Sequence, residues 1–527
     1  MITTIELGSW RGIRLARGAA AINSIGYGDE EHSFYCPWHG WLIYGVEGGQ
    51  PSGRCSHMDE NPIETDYLVI GAGAMAMAFV DTLLKETNAR IVMVDRHDRA
   101  GGHWNDAYPF VRLHQPSTCY GVNSRELGSG TKDTTALNAG LYELASGAEV
   151  VSYFDQVMNQ QFLPSGRVRF FPMCNYTGDR IDDHRFTSLV SGADHQVRVC
   201  KKVVDATHAQ TAVPSTHPPR YRVEPGVQCV PLNDLPKIRH PYASYVVVGA
   251  GKTGIDACLW LLQNGVAPAT IRWIMPNDPW LIDRANVQPG LDRFEQTIGG
   301  LTAQFEAIAA ADSIPDLFSR LEATGQLLRL DKAVEPTAYR CATVTQAELR
   351  ELRRIDNIVR LGRVRVIEPT RIVLEQGSIA TSPHALHIDC SASAIPTLPE
   401  MKVFDGGKIN LLMVSSCQPV FSAALIAYVE SHLDDQAQMN ALCRMVPPPH
   451  IPTDWIRIWA VYLGNQLRWG EHEGLARWVK QSRLFFMTAV VRGLQDTDTE
   501  KLAQLHRLSV SRQQALASLP RLLGAIA

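Results

Sequence analysis

Several features are missing from this 527-residue sequence, and each absence argues against a class of protein. No uninterrupted apolar run approaches the ~20 residues that a membrane-spanning helix needs. The formal net charge is only −4, so no strong field favours nucleic acid or an acidic membrane as a partner. The Ala-rich start lacks the apolar segment of a secretory signal. These absences favour a cytoplasmic protein without a membrane span.

Cysteine is present but shows no paired spacing. The eleven cysteines are scattered along the chain. An odd number without a regular pattern is more typical of a reducing compartment than of a disulfide framework. No C-x-x-C or C-x-x-x-x-C motif occurs. We therefore expect the cysteines to be free.

The patterns that are present predict an α/β protein of two or three domains. A βαβ unit is predicted from a strand at residues 67–70, a glycine-rich turn, a helix to about residue 85 and a strand at 90–95. The same order returns with a strand at 245–248, a turn at 249–254, a helix at 255–264 and a strand at 270–275. The fold class is therefore predicted as two Rossmann-like dinucleotide-binding domains followed by a helical C-terminal region.

The remaining segments set the expected domain boundaries. Strands are predicted at 168–171 and 196–204, before a Pro-rich connection at 214–241. A helical stretch at 301–352 precedes strands at 363–366, 370–374 and 385–390, with a turn at 376–378. Seven aromatic residues of the tail are predicted to pack against the main body, a reading favoured over a substrate or membrane face: Trp455, Trp459, Tyr462, Trp469, Trp478, Phe485 and Phe486. The expected parts are an extension at 1–57, a first dinucleotide-binding domain at 58–242 and 386–440, a second one inserted at 243–385, and a helical region at 441–527.

The first glycine-rich turn carries a dinucleotide fingerprint. Its sequence, GAGAMA at 71–76, fits G-x-G-x-x-G/A between a strand and a helix. Gly71 permits the tight turn, Gly73 lets the backbone approach a pyrophosphate, and Ala76 allows close packing of the helix on the strand. Asp95 ends the second strand, where a carboxylate can accept hydrogen bonds from a ribose. We predict that this turn binds a dinucleotide.

The segments after Asp95 identify a resemblance. They read GGHW at 101–104, YP at 108–109 and RLHQ at 112–115. This part of the chain resembles the flavin-containing monooxygenase and Baeyer–Villiger superfamily, in which such segments wrap the flavin of FAD. The resemblance implies that Gly102, His103 and Trp104 contact FAD. It makes three polar residues candidates to face the flavin, although a loop hydrogen bond explains each of them equally well: His114, Gln115 and Asn123.

A second fingerprint, GAGKTG at 249–254, predicts a second dinucleotide. Its cofactor-binding residues are Gly249, Gly251, Lys252, Thr253 and Gly254. The following strand ends in IMPN at 274–277, with no acid at its tip to hold the ribose of NADH, so NADPH is favoured. The candidates to neutralise its 2′-phosphate are Lys252 and, more speculatively, Arg284. We expect Lys252→Ala to raise the KM for NADPH far more than that for NADH.

The resemblance extends to the segments that link the two domains. VVDATH at 203–208 and IDCSA at 388–392 stand where this superfamily carries two A-T-G-like strand ends, although neither matches that motif. SCQPVFSA at 416–423 precedes an apolar helix expected at 421–433. In similar flavoproteins such a helix points its N-terminus at the flavin, where its dipole stabilises the reduced form. This implies that Gln418 and Phe421 lie at the cofactor.

The reaction implied is hydride transfer from NADPH to FAD, followed by oxygenation of a small organic substrate with O₂. Disulfide reduction is set aside because the cysteine motif that it needs is absent. The F-x-G-x-x-x-H-x-x-x-W/Y signature is also missing, since the region at 226–235 reads GVQCVPLNDL. Heteroatom oxygenation or hydroxylation is therefore favoured over ketone-to-ester chemistry. An oxidase, an electron-transfer reductase and a flavin-binding protein without turnover stay open.

An aromatic segment near the start, CPWHGW at 36–41, resembles the second ligand loop of a Rieske iron–sulfur domain. A Rieske cluster needs two Cys and two His. No cysteine precedes Cys36, and the C-x-H at 55–57 stands on the wrong side of it. We therefore expect a truncated or fortuitous motif and no bound metal.

Overall fold

The computed structural model describes residues 62–178, 183–208, 211, 213–393, 395 and 397–526. The Rieske-like motif and the extension at 1–57 therefore lie outside the described residues. The first part of the described chain contains six strands and two helices: β1 Ile63–Ile70, α1 Ala74–Glu86, β2 Ile91–Val94, α2 Gly147–Val157, β3 Val168–Phe171, β4 Cys174–Tyr176, β5 His184–Ser188 and β6 Asp194–Asp205.

The second part contains most of the remaining strands. Its elements are β7 Arg222–Val223, β8 Gln228–Pro231, β9 Ser244–Val248, α3 Lys252–Gln263, β10 Ile271–Ile274, β11 Pro279–Asp283, α4 Phe294–Ala310, α5 Ile314–Ala323, β12 Leu327–Leu328, β13 Ala338–Val344, α6 Gln346–Leu352, β14 Ile358–Val359, β15 Val364–Ile367, β16 Arg371–Leu374, β17 Gly377–Ala380 and β18 Ala385–Asp389.

The last part is mainly helical. Its elements are β19 Phe404–Asp405, β20 Lys408–Asn410, α7 Pro419–His432, α8 Gln436–Leu442, α9 Asp454–Glu471, α10 Glu473–Gln481, α11 Phe486–Val491 and α12 Thr499–Gly524. No helix in the described part of the chain is long and apolar enough to cross a membrane.

The first sheet has the strand order β19-β20-β6-β1-β2-β3, with the hairpin strands β4 and β5 attached to β6. Strands β20, β6, β1, β2 and β3 run parallel, so their carboxyl ends lie along one edge. Strand β1 is strongly apolar, and its Leu68 and Val69 are fully buried. Helix α1 packs against α7 on this sheet. Residues from the start and from the end of the described chain therefore form one Rossmann-like layer.

The second sheet has the order β14-β10-β9-β18-β8, and all of its strands are parallel. Strands β8 and β18 belong to it, although most of their residues lie outside the range 243–385 expected for the second domain. Two smaller sheets, β12-β11-β13 and β17-β16-β15-β7, complete this part of the chain. The predicted α/β architecture with two parallel sheets is confirmed.

Three local predictions were wrong. The stretch at 301–352 is not continuously helical, because β12 and β13 interrupt it and pair with β11. The Pro-rich connection at 214–241 contains β7 and β8, which join the sheets of the second part. The turn expected at 376–378 is formed by residues 375–376 instead, because Gly377 already begins β17 and pairs with Leu374. Pairing with a distant strand decides the structure in the first two cases, and the tight hairpin of β16 and β17 decides it in the third.

The cysteines are not all free. Cys341 in β13 and Cys417 before α7 form a disulfide across 76 residues of sequence. The other seven cysteines of the described chain are unpaired. The expectation of free cysteines was therefore wrong for one pair, because sequence spacing does not reveal a contact between two distant segments.

Candidate functional site

The first glycine turn joins β1 to α1 at the carboxyl edge of the first sheet. Gly71 has a φ of +98°, a conformation that side chains other than glycine rarely adopt. Gly73 is the N-cap of α1, where no side chain caps the helix and no acid occupies the first turn. The amide groups at this helix N-terminus are therefore open to an anionic group such as a pyrophosphate.

Asp95 lies beside this turn and is almost completely buried. Its Oδ2 accepts a hydrogen bond of 2.5 Å from the amide of Ala72. Its Oδ1 accepts bonds from the amide and the imidazole of His97, each at 2.8 Å. The other imidazole nitrogen lies 2.8 Å from Asp106. The bond to Asp95 is the main cause that raises the pKa of His97 to about 9, so this imidazole is protonated at neutral pH.

The GGHW segment closes over the first turn. An added Cβ on Gly102 would lie 2.9 Å from the Cα of Gly73, so only glycine permits this approach. The Trp104 indole donates a 2.9 Å hydrogen bond to the Tyr120 hydroxyl, which fixes its plane. His103 stacks on Trp104, and burial lowers the pKa of His103 to about 4. This segment thus presents a neutral, largely apolar surface beside the turn.

The second glycine turn, between β9 and α3, has the same construction. Gly249 has a φ of +131°, and an added Cβ on Gly254 would lie 2.2 Å from its carbonyl oxygen. In contrast, nothing lies within 4 Å of an added Cβ on Gly251. Helix α3 begins after Gly251 without a side-chain cap or a first-turn acid. The second turn therefore also offers an open helix N-terminus, with free space where a pyrophosphate would approach.

The two cations predicted for the 2′-phosphate are held by carboxylates. Lys252 pairs with Asp256 one turn along α3, and Tyr108 also donates to Asp256. Arg284 is buried and binds both carboxylate oxygens of Glu348 at 3.1 and 2.9 Å. Arg284 therefore has a structural role, and its guanidinium is not open to a dinucleotide.

Arg360 was missed by the sequence analysis. It follows β14, whose carboxyl end lies beside that of β10, because these strands are parallel neighbours. Its guanidinium binds Asp278, which lies just beyond β10, with distances of 2.8 and 2.9 Å. Its Nη2 also lies 3.3 Å from Asp331, so one partly exposed guanidinium pairs with two acids near this strand tip. No local sequence signal marks this pairing of residues 82 positions apart.

A cavity of about 480 Å³ lies between the first part of the chain, the second part and the C-terminal helices. Gln115 lines it from the first part, Tyr339 from β13, and Cys417 and Gln418 from the start of α7. Of the seven aromatic residues predicted to pack in the tail, six also line this cavity: Trp455, Trp459, Tyr462, Trp469, Phe485 and Phe486. Several of them are also buried in the main core, so packing was only part of their role.

The three candidate catalytic residues are placed differently. Gln115 lines the cavity. Asn123 accepts a 3.0 Å hydrogen bond from Ser482 and does not line it. The backbone carbonyl of His114 binds Arg284 and Thr343, and the pKa of its imidazole is lowered by burial and by the charges of Lys252 and Arg284. Gln115 is therefore the candidate with direct access to the cavity.

Helix α7 begins at the same edge of the first sheet as α1. Gln418 is its N-cap and lines the cavity. Phe421 is fully buried against Phe485 at 5.0 Å, Trp469 at 5.9 Å and Trp478 at 6.2 Å between ring centroids. Phe421 therefore joins α7 to the C-terminal helices, whereas Gln418, itself buried, accepts a 3.3 Å hydrogen bond from Ser415 and lines the cavity.

Two curated mycobacterial proteins are similar to this chain. The uncharacterized protein Rv2000 of Mycobacterium tuberculosis is 53% identical over 422 residues, which are 80% of this chain and 78% of that protein. The uncharacterized protein Mb2023 of Mycobacterium bovis matches with the same identity and coverage. The chain belongs to the family of these proteins. No protein-family model matches it.

Solved structures show only distant likeness to this member of the mycobacterial family. An oxidised steroid monooxygenase bound to NADP has 12% identity and a TM-score of 0.44, covering 70% of this chain and 85% of that one. An open cyclohexanone monooxygenase has 13% identity and a TM-score of 0.43, covering 70% and 88%. A bacillithiol disulfide reductase of Bacillus cereus has 10% identity and a TM-score of 0.38, covering 70% and 99%. Similarity this low carries no argument about activity.

Proposed function

We propose that this protein is an FAD- and NADPH-dependent oxidoreductase. The observation that carries the proposal is the pair of open helix N-termini, each preceded by a glycine turn at the carboxyl edge of its own parallel sheet. Ligands of such sheets bind at this edge, and a glycine turn before an uncapped helix suits a pyrophosphate. Two such sites in one chain suit two dinucleotides.

The residues around the first turn fit FAD. The backbone at Gly71 to Gly73 and the N-terminus of α1 would hold the pyrophosphate, and Asp95, already fixed by Ala72 and His97, would accept bonds from the ribose. When bound, FAD supplies hydride acceptance and the reduction of O₂. Trp104, which lies beside the turn, and Gln418, which lines the cavity, would exclude water and orient the ring.

The residues around the second turn fit a nicotinamide dinucleotide. Gly251 leaves room for its pyrophosphate, and Thr253 lies in the first turn of α3. NADPH is favoured over NADH because Arg360 neutralises Asp278 at the strand tip, where an unpaired acid would repel a 2′-phosphate. Lys252 would act near the pyrophosphate, from its position at the start of α3.

The cavity favours oxygenation of a small, mainly apolar molecule. Its volume of about 480 Å³ falls within the ~300–1,000 Å³ of small-molecule sites, and its walls are rich in aromatic rings. A mainly apolar site of this kind would limit the access of water to a reduced cofactor. An oxidase that releases peroxide shares the same cofactors and is the alternative to be tested.

Oxygen isotope labelling tests this assignment. The purified protein is supplied with NADPH, candidate apolar substrates and ¹⁸O₂, with catalase present to remove free peroxide. We expect a product that carries one labelled oxygen atom. A parallel reaction without catalase, in which NADPH oxidation yields only peroxide and every substrate stays unchanged, would establish an oxidase and overturn the oxygenation step.

A further inference from the structure

The wall of the 480 Å³ cavity carries charge of one sign only. Among the described residues that line it, the charged ones are Lys480 and Arg512, and neither Asp nor Glu is present. Lys480 is exposed on α10, whereas Arg512 is partly buried on α12. A basic group in an otherwise apolar cavity attracts an anionic ligand and disfavours a cationic one.

The guanidinium of Arg512 has no hydrogen-bond or ion-pair partner among the described residues. Its Nε is buried without a hydrogen bond, as are those of Arg329 and Arg340, so the donors that can reach a ligand are its two terminal nitrogens. Buried polar atoms of proteins are usually hydrogen-bonded, and an unpaired donor costs free energy. Arg507, five positions earlier on the same helix, instead binds Glu306 at 2.9 and 3.1 Å. The guanidinium of Arg512 therefore retains donors for a ligand.

The surrounding helices place Arg512 among apolar groups. Leu505, Leu508, Ser509 and Arg512 recur at helical spacing on the cavity face of α12. The facing side of α9 contributes aromatic and polar residues at the same kind of spacing: Trp455, Trp459, Tyr462, Gln466 and Trp469. A ligand in this cavity would bury an apolar body against the rings while its acidic end meets the guanidinium.

We propose that the cavity binds an apolar organic acid, with Arg512 as the anchor for its carboxylate. Guanidinium and carboxylate form bidentate, charge-assisted hydrogen bonds, which are roughly twice as strong as neutral ones. Lys480 adds a second, more exposed positive charge. Binding of the acid does not depend on the proposed function. The statement that the acid is a substrate rests on that function.

Calorimetric binding of two matched probes tests the proposal without any turnover. The probes are 4-phenylbutanoate and 4-phenylbutan-1-ol, which share an apolar body and differ in the charged end. We expect the oxidised full-length protein to bind the acid at least about tenfold more tightly than the alcohol, as one charge-assisted contact implies. Equal affinity for the two probes, or binding of neither, would overturn the proposal.

Variants then identify the anchor. Arg512→Gln should abolish the preference for the acid, and the matched control Arg507→Gln should keep it, because Arg507 does not line the cavity. If Arg512→Gln does not fold, lowering the pH below the pKa of the probe should remove the preference in the unmodified protein. A preference that persists in folded Arg512→Gln, or at that low pH, contradicts the assignment. The binding measurement involves no reduction. If the protein binds the acid but NADPH does not reduce its flavin, the proposed function is refuted and the binding proposal stands.

Discussion

His97 links the expected ribose acid to the segment that closes over the first glycine turn. Its imidazole lies between Asp95 and Asp106, at 2.8 Å from each carboxylate. The hydrogen bond to Asp95 is the largest cause of the rise of its pKa to about 9, and burial opposes that rise. Since the unfolded pKa of histidine is near 6.5, the folded protein binds this proton more tightly.

The contribution of His97 to stability should therefore depend on pH. It is fully present below about pH 6.5 and is lost as the pH rises through about 9. We expect His97→Gln to lower the free energy of unfolding by about 1–2 kcal/mol at pH 6, allowing for partial solvent screening. Denaturant unfolding of the unmodified protein and of His97→Gln at pH 6 and at pH 10 measures the loss of free energy at each pH. A loss that is equal at the two pH values would show that the charge of His97 does not matter.

Arg360 is the residue on which the proposed preference for NADPH depends. Its guanidinium neutralises Asp278 beside the tip of β10. We expect Arg360→Ala to raise the KM for NADPH about 10–100-fold, the effect of losing one charge-assisted contact, and to change the KM for NADH little. Steady-state kinetics with NADPH and with NADH measure both KM values for the variant and for the unmodified protein.

Arg365→Ala is the control for that experiment. Arg365 lies in β15 and pairs with Glu375 on the surface, so its removal should leave both KM values unchanged. If Arg360→Ala changed the two KM values equally, Arg360 would not contact the 2′-phosphate. A selective effect of Lys252→Ala would then restore Lys252 as the phosphate ligand.

At the scale of elements, two glycines of the second turn are expected to differ in role, Gly254 in folding and Gly251 in binding. The space around Gly251 is open, whereas Gly254 lies against the carbonyl of Gly249. Gly254→Ala should therefore destabilise the protein by about 1–3 kcal/mol. Gly251→Ala should change stability by less than about 1 kcal/mol but weaken NADPH binding about tenfold, because the new Cβ fills the approach to the helix.

Thermal unfolding and coenzyme titration of the two variants test this separation. Gly251→Ala should unfold close to the temperature of the unmodified protein and show only the binding defect. Unaltered NADPH affinity in Gly251→Ala would mean that the dinucleotide does not approach this turn.

The elements also show what the sequence can and cannot predict. Both βαβ units were predictable because strand, glycine turn and helix are contiguous, so local periodicity and turn chemistry suffice. Strand β13 was not, because the Ala-, Arg- and Cys-containing stretch Ala338–Val344 becomes a strand only through pairing with β11. The Cys341–Cys417 disulfide and the Arg360–Asp278 pair likewise depend on contacts between distant residues.

At the scale of the whole molecule, the C-terminal helices form much of the wall of the cavity. The faces of α9 and α12 supply the aromatic wall and the basic group of the cavity, while Gln115 and Gln418 border it from the first sheet. Arg483 fixes this arrangement, because its buried guanidinium donates to the carbonyls of Thr118 and Tyr120 at 2.8 and 2.9 Å. The chain thus places a partly open, mainly apolar cavity beside the edge that we assign to the flavin.

Anaerobic reduction of the purified protein by NADPH tests whether it is an FAD- and NADPH-dependent oxidoreductase. We predict that the protein carries bound FAD and that its visible absorbance bleaches on addition of NADPH. Gly73→Ala should fold, since its new Cβ would meet only the Cα of Gly102 at 3.7 Å, but it should retain less FAD. Gly251→Ala should retain FAD but need about tenfold more NADPH for reduction. A protein that binds no FAD, or whose bound FAD stays oxidised with NADPH, would contradict the account.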